Sequence, residues 1–143
     1  MKIAAVDFGD ARTGLAICDK QELLASPAGV IQEKNFDRAV VKVAEALKEL
    51  NPELVVVGHP INMNGTIGVR AQHCEEFAKQ LETALDNIPV VLWDERSTTV
   101  SAIGFLNATD TRGKKRKAVI DTVAATIILE NYLNYRKNQR EEE

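Results

Sequence analysis

Three acidic residues stand where a carboxylate is unusual, and together they could hold divalent metal ions. Asp7 ends an apolar run that indicates a buried strand, and Glu95 comes two residues after another such run. Asp121 shares a helical stripe with Ala125 and Ile128, so it is turned towards the side of its helix that faces the sheet. Simpler interpretations remain open, namely a turn cap for Asp7 and an ion pair at the rim of the stripe for Asp121.

Metal binding would explain why three acids converge. Two like charges about 4 Å apart repel by about 4 kcal/mol at an effective dielectric constant near 20, so such a cluster is not built for stability. Oxygen ligands favour Mg²⁺ or Mn²⁺ over zinc, and a pair of such ions suits in-line attack on a phosphodiester. We therefore predict that Asp7, Glu95 and Asp121 are catalytic residues that bind Mg²⁺ or Mn²⁺.

Basic residues near these acids predict a polyanionic substrate. A run of Lys and Arg directly precedes Asp121, although cations are unfavourable at a helix N-terminus. Binding of a nucleic-acid backbone would explain this run, while a solvated helix start is the simpler interpretation. The candidate substrate-binding residues are Arg12, Arg70, Arg96, Lys114, Lys115, Arg116 and Lys117.

The histidines and cysteines carry weaker signals. His59 follows a strand and could act as a base, but a hydrogen-bonding role in a loop is the simpler interpretation. His73 falls on the apolar stripe of its helix and is expected to be structural. Cys18 and Cys74 lack the spacing of a zinc or redox pair, so we expect both to be buried. Nothing indicates a serine or cysteine nucleophile.

The order of elements predicts the fold that would position these residues. Three strands in a meander come first, followed by a helix, a strand, a helix, a strand and two helices. This order indicates an α/β fold with a mixed five-stranded sheet, an antiparallel three-strand meander and helices on both faces. The expected strands are 3–7, 15–18, 23–31, 54–57 and 89–93, and the longer helices are 36–50, 69–85 and 114–135. Asp7 and Glu95 meet at one sheet edge if their strands are parallel and adjacent.

Length and composition set the class of protein. The 143 residues suffice for one domain, expected over 1–136, with a polar and disordered tail at 137–143. There is no secretory signal and no apolar run of about 20 residues, so we expect a cytoplasmic protein without a membrane partner. The formal net charge of −3 disfavours an indiscriminate polyanion binder.

Four short motifs occur in the order and spacing of a known family. They are Asp7-Phe8-Gly9 with Arg12 and Gly14, Gly58-His59-Pro60 with Gly65, Asp94-Glu95-Arg96 with Thr98-Thr99, and Lys114 to Lys117 with Asp121 and Ala124-Ala125. Over about residues 1–135 the chain resembles the YqgF (RuvX) family of Holliday-junction-resolvase-like proteins. The resemblance implies a ribonuclease-H-like fold and a bacterial hydrolase, a nuclease assigned to 5′-end maturation of pre-16S rRNA. It also implies that Asp7, Glu95 and Asp121 are its metal-binding catalytic acids.

Two departures from the family pattern leave other functions open. His59 stands where the family usually has leucine, and Ala124 stands where related junction resolvases often have a further acid. The alternatives are a Holliday-junction resolvase acting on DNA and a catalytically weak module that binds nucleic acid or ribosomes. An actin-like ATP-binding protein is a third alternative. It is disfavoured because such proteins use two copies of the fold to bind a nucleotide, and this chain is long enough for only one. The expected partners are pre-rRNA or branched DNA and ribosomal particles, with the chain a monomer or weak homodimer.

Overall fold

Five strands form one mixed sheet in the order β3-β2-β1-β4-β5. The computed structural model describes residues 1–97 and 113–142. The strands are β1 Ile3–Asp7, β2 Arg12–Cys18, β3 Ala25–Gln32, β4 Leu54–His59 and β5 Val90–Asp94. β1, β2 and β3 pair antiparallel, whereas β1, β4 and β5 are parallel. The mixed sheet with a three-strand meander is therefore confirmed.

Helices cover both faces of this sheet. α1 Phe36–Leu50 and α2 Val69–Leu85 pack on one face, and α3 Gly113–Glu142 packs on the other. β1 and β4 lie between the two layers, which explains their unbroken runs of small and β-branched apolar residues. Among the helices that the structure describes, none has the length and apolar content needed to cross a membrane.

Local sequence signals set the ends of α1 and the irregularity of β3. The Asn35 side chain accepts a hydrogen bond from the Arg38 amide at 2.9 Å, as expected of an N-cap, and Asn51 ends the helix at a φ of 54°. On the edge strand β3, Gly29 has a φ of 127° next to a shift in the pairing with β2. Gly29 thus allows the irregular backbone that was expected there.

The buried face of α2 differs from the predicted stripe at its first turns. Val69 is 68% exposed and His73 is also exposed, so the prediction that His73 is a structural residue on an apolar face was wrong. The buried residues of α2 are Ala71, Cys74, Phe77, Ala78, Leu81 and Leu85. The predicted stripe of Val69, His73, Phe77, Leu81 and Leu85 holds from Phe77 onwards. In the first turns the buried side of α2 is instead that of Ala71 and Cys74.

β5 is more exposed than a buried strand, and this prediction was also wrong. Leu92 is 41% exposed and the rest of β5 is half-buried. The reason is the strand order, which puts β5 at the end of the sheet and cannot be deduced from its apolar sequence. A short helix expected through 102–106 and most of the loop expected over 107–113 lie outside the described residues. Gly113, the last residue of that loop, already belongs to α3.

The last helix runs through Glu142, beyond residue 136, after which a disordered tail was expected. An ion-pair cluster holds its C-terminal half against the connection between β2 and β3. Glu22 accepts a hydrogen bond from Arg136 Nε at 2.6 Å and lies 3.3 Å from Arg140 Nη1 and 3.2 Å from the N-terminal ammonium. The Arg136 hydrogen bond lowers the pKa of Glu22 to about 2.

We expect Glu22→Gln to lower the free energy of unfolding by about 2 kcal/mol at pH 7. The substitution removes the charge of a nearly buried side chain and so weakens its interactions with the charged groups around it. A depressed carboxyl pKa stabilises the fold above the ordinary value of 4.5, and this contribution is lost as the pH falls towards 2. Urea unfolding at pH 7 and pH 3 should show the difference between wild type and variant shrinking at pH 3. Glu130→Gln, at an exposed position of α3, is the control. If wild type and Glu22→Gln differed in free energy of unfolding by the same amount at both pH values, this explanation would be wrong.

Candidate active site

Asp7 is positioned by the end of a central strand. It follows the paired residues Val6 and Val57, and it is 16% exposed. Because Val6 packs on the α1/α2 face, the alternation of β1 turns Asp7 towards the α3 face. Arg70 Nη2 donates to the Phe8 carbonyl at 3.3 Å and lies 3.9 Å from Asp7 Oδ1. A guanidinium from α2 thus holds the turn after β1 and faces the Asp7 carboxylate.

Glu95 lies over β4, the strand that separates it from Asp7. β1 and β5 are parallel, as expected, but they are not adjacent because β4 lies between them. Glu95 begins a short 3₁₀ helix directly after β5, and its carboxyl group lies over Gly58 of β4. A Cβ atom at Gly58 would stand 3.1 Å from Glu95 Cδ and 3.3 Å from Oε2. Glycine therefore provides the space in which Glu95 crosses β4.

The electrostatics of this corner favour a bound cation. Burial raises the pKa of Glu95, while Arg70 and His59 act in the opposite direction. Burial also raises the pKa of Cys74 to about 12, and both Glu95 and Asp7 add to this increase. A cation bound by Glu95 would offset the cost of burying its carboxylate.

The donors present fit a metal ion that prefers oxygen ligands. Asp7 and Glu95 supply carboxylate oxygens, which suits Mg²⁺ or Mn²⁺. Asp121 belongs to α3, seven residues before Ile128, whose Cδ1 would stand 2.7 Å from a Cβ at Gly58. Of α3, side chains are described for residues 123–140 only. Within the described part of the chain no group of three acidic, His or Cys side chains could hold a metal, so the meeting of all three acids stays a prediction.

The predicted substrate-binding residues have different surroundings. Arg70 lies at the candidate site, and Arg12 begins β2 at the tight turn that follows Asp7. Arg96 forms a two-pronged ion pair with Asp94, with contacts of 2.7 Å and 3.0 Å, which lowers the pKa of Asp94. Lys114, Lys115, Arg116 and Lys117 are in the first turns of α3, in the stretch whose side chains are not described.

The opposite face of the sheet holds His59, a residue that could have acted as a base. Its Nε2 lies 3.1 Å from Glu75 Oε1 on α2, and the side chain is nearly buried. The site acids Asp7 and Glu95 lie on the α3 face, so His59 is not directed at them. Sequence reasoning missed this partnership, because a solvent-side glutamate on a helix carries no local signal. It also missed the role of Gly58, although the glycine belongs to a motif that was recognised.

Both cysteines are buried and unpaired, as expected. Cys18 Sγ accepts a hydrogen bond from the Ile3 amide at 3.2 Å, and its pKa is raised by burial. Cys74 packs in the core between α2 and the sheet. Neither thiol is placed to act as a nucleophile.

We expect Gly58→Ala to lower the free energy of unfolding by about 1–3 kcal/mol, because its Cβ would overlap Ile128 Cδ1 and press on Glu95. Removing that Cδ1 in Gly58→Ala/Ile128→Val should restore part of the stability, so the double variant is more stable than the sum of the single effects predicts. Urea unfolding measures both effects. Gly68→Ala, which meets only ordinary contacts, is the control. Wild-type stability of Gly58→Ala would contradict the packing described.

The sequence of this chain matches one family model and several named proteins. A family model described as "RuvX: Holliday junction resolvase" matches residues 1–135. A relative from Caldanaerobacter subterraneus subsp. tengcongensis is 43% identical over 96% of this chain and 99% of its own length, and one from Bacillus subtilis (strain 168) is 41% identical over 94% and 98%. Each is named "Putative pre-16S rRNA nuclease".

Solved structures establish the fold class. RuvC of Thermus thermophilus in complex with a Holliday junction superimposes with a TM-score of 0.63 at 17% identity, over 96% of each chain. The fowlpox virus resolvase bound to Holliday junction DNA superimposes with a TM-score of 0.54 at 13% identity, over 100% of each chain. The ribonuclease-H-like fold is thereby confirmed. From the family match along nearly its whole length, the chain belongs to the RuvX family.

Proposed function

We propose that this protein is a divalent-metal-dependent endonuclease that hydrolyses phosphodiester bonds in structured nucleic acid. The observation that carries the proposal is that the Glu95 carboxyl group lies over Gly58 of β4, the strand that neighbours β1 and its terminal residue Asp7. Both residues follow the carboxyl ends of parallel strands, where α/β sheets bind ligands. We further propose that Asp121 of α3 is the third acid of the site.

Asp7, Glu95 and Asp121 would hold Mg²⁺ or Mn²⁺. When bound, such ions activate a water molecule for attack and stabilise the leaving oxygen. The chain itself supplies a rigid frame, since Asp7 is held by the sheet and by the Arg70 contact to the Phe8 carbonyl. Arg70 is more than half exposed, so its guanidinium can also meet a substrate phosphate at the edge of the site.

Pre-16S rRNA, cut at its 5′ end in the cytoplasm, is the substrate that we propose. The names of the relatives support this substrate, since the relatives match nearly the whole chain at about 40% identity. Arg12, Arg70, Arg96 and the Lys114 to Lys117 run would bind the phosphate backbone. All these residues belong to one chain, so a monomer would form a complete site.

Cleavage of branched DNA is the second candidate, and the family model's description favours it. Both substrates present phosphodiesters next to distorted or unpaired nucleotides, so the same acids would serve either. The two functions differ in what the basic residues contact and not in the chemistry at the metal. A direct comparison of the two substrates decides between them.

The test is cleavage of a pre-16S rRNA fragment and of a four-way DNA junction, with Mg²⁺ or Mn²⁺ and with EDTA. We expect metal-dependent cleavage by wild type, and a loss of about 10²-fold or more in Asp7→Asn, Glu95→Gln and Asp121→Asn, because a metal site supplies several kcal/mol of transition-state stabilisation. Asp86→Asn, at the exposed end of α2, is the matched control and should cleave normally.

Equal cleavage by wild type and Asp7→Asn would overturn the proposed nuclease. Cleavage of the DNA junction alone would select the resolvase. Tight binding that needs no metal and leads to no turnover on either substrate would select a nucleic-acid-binding or ribosome-binding module.

A further inference from the structure

A cavity of about 620 Å³ opens on the α1/α2 side of the turn that follows Asp7, away from the acids of the candidate site. Its apolar wall includes Phe8 and Phe36, and its polar wall includes Asp10, His73, Glu76 and Gln80. The volume lies within the range of about 300–1,000 Å³ that is typical of small-ligand sites. The function proposed above uses none of the polar groups in this wall.

The cavity and the candidate active site share one short stretch of backbone. Asp7 points to the α3 face, whereas the next residue, Phe8, packs into the cluster on the α1/α2 face. Arg70 contacts both, through Asp7 Oδ1 and the Phe8 carbonyl. A strand with a phosphate at Asp7 would therefore pass Arg70 and bring a neighbouring nucleotide to the cavity.

The apolar wall is rigid, and its accessible ring is Phe36, because Phe8 is only 6% exposed. The Phe8 ring stacks on Phe77 with centroids 4.2 Å apart, and the Phe36 ring packs edge-on against Phe8 at 5.7 Å. Phe36, held by these contacts, loses little conformational freedom when a planar ligand packs against its exposed part. A flat heterocycle suits this wall better than a flexible chain.

The polar wall selects against phosphate and for N–H donors. Three carboxylates line the cavity, from Asp10, Glu33 and Glu76, against one lysine, Lys34. Glu33 is held charged by Lys42 at 2.8 Å, which lowers its pKa. These oxygens would repel a phosphate but accept hydrogen bonds from the ring N–H and exocyclic amino groups of a base. Gln80 donates to Glu76 at 3.0 Å, leaving its amide oxygen as a further acceptor.

We propose that this cavity binds one nucleobase of the substrate strand, next to the phosphate at the catalytic acids. The inference rests on the proposed function, since the nuclease reaction brings the strand to Asp7. Binding of one base outside the stack would position the neighbouring phosphate, and it would make cleavage depend on the availability of an unpaired nucleotide.

The test measures binding of single-stranded RNA in EDTA, where no cleavage occurs, by fluorescence anisotropy. A set of strands carries one abasic nucleotide at each position in turn. For wild type we expect affinity to fall about tenfold when the abasic nucleotide occupies one particular position, since that strand lacks the base that fills the cavity. Gln80→Trp fills the cavity without a change of charge, so it should bind intact RNA more weakly and lose that position dependence. Gln72→Trp, at an exposed position of the same helix outside the cavity, is the matched control and should behave as wild type.

The same positional profile in wild type and Gln80→Trp would overturn the proposal, as would a wild-type profile with no preferred position. If no RNA binds at all, that result counts against the proposed nuclease function and not against the cavity. Binding of free nucleosides then tests the cavity on its own. Millimolar cytidine or adenosine should shift the amide NMR signals of Phe8, Phe36 and Gln80 in wild type but not in Gln80→Trp. No shift, or a shift with Mg²⁺ instead, would overturn the base site.

Discussion

The absence of a side chain at Gly58 is the constraint on which the candidate site depends. The two acids at the ends of parallel strands are separated by β4, and a side chain at this position would occupy the space that Glu95 needs. The same glycine lets Ile128 of α3 pack closely on the sheet. One backbone position therefore serves the core and the site together, and this coupling explains why a glycine is found in a strand that is otherwise rich in valine.

The alternation of side chains along β1 and β4 divides the molecule into two functional faces. Asp7 and Gly58 turn to the α3 face, where the Glu95 carboxyl group also lies, whereas Phe8 and His59 pack on the side of α1 and α2. Arg70 spans the edge between the two faces. The proposed metal site and the proposed base site thus lie on opposite sides of one sheet edge, a few residues apart.

Features set by short-range interactions could be predicted from the sequence. The ends of α1 follow from Asn35 and Asn51, and the edge position of β3 follows from Pro27 and Gly29. The exposure of His73 and of β5 could not, because it depends on which elements cover them in the folded chain.

The candidate site shows the same division between local and long-range information. The location of Asp7 and Glu95 at strand ends was readable from apolar runs, and the structure confirms it. The position of Glu95 over an intervening strand could not be predicted from the sequence, since it depends on strand order and on the space above Gly58. The pairing of His59 with Glu75 likewise exists only once α2 lies on the sheet. Asp121 as a third ligand remains a prediction from helical periodicity and from the family resemblance.

The proposed site requires that the Asp7 and Glu95 carboxylates share a divalent cation. Anomalous X-ray scattering at the manganese edge, from crystals soaked in Mn²⁺, tests it most directly. The account predicts a manganese peak about 2.1 Å from a carboxylate oxygen of each residue, the distance of a hard cation held by oxygen ligands. Saturating Mn²⁺ that binds only elsewhere, with no peak between the two carboxylates, would contradict it.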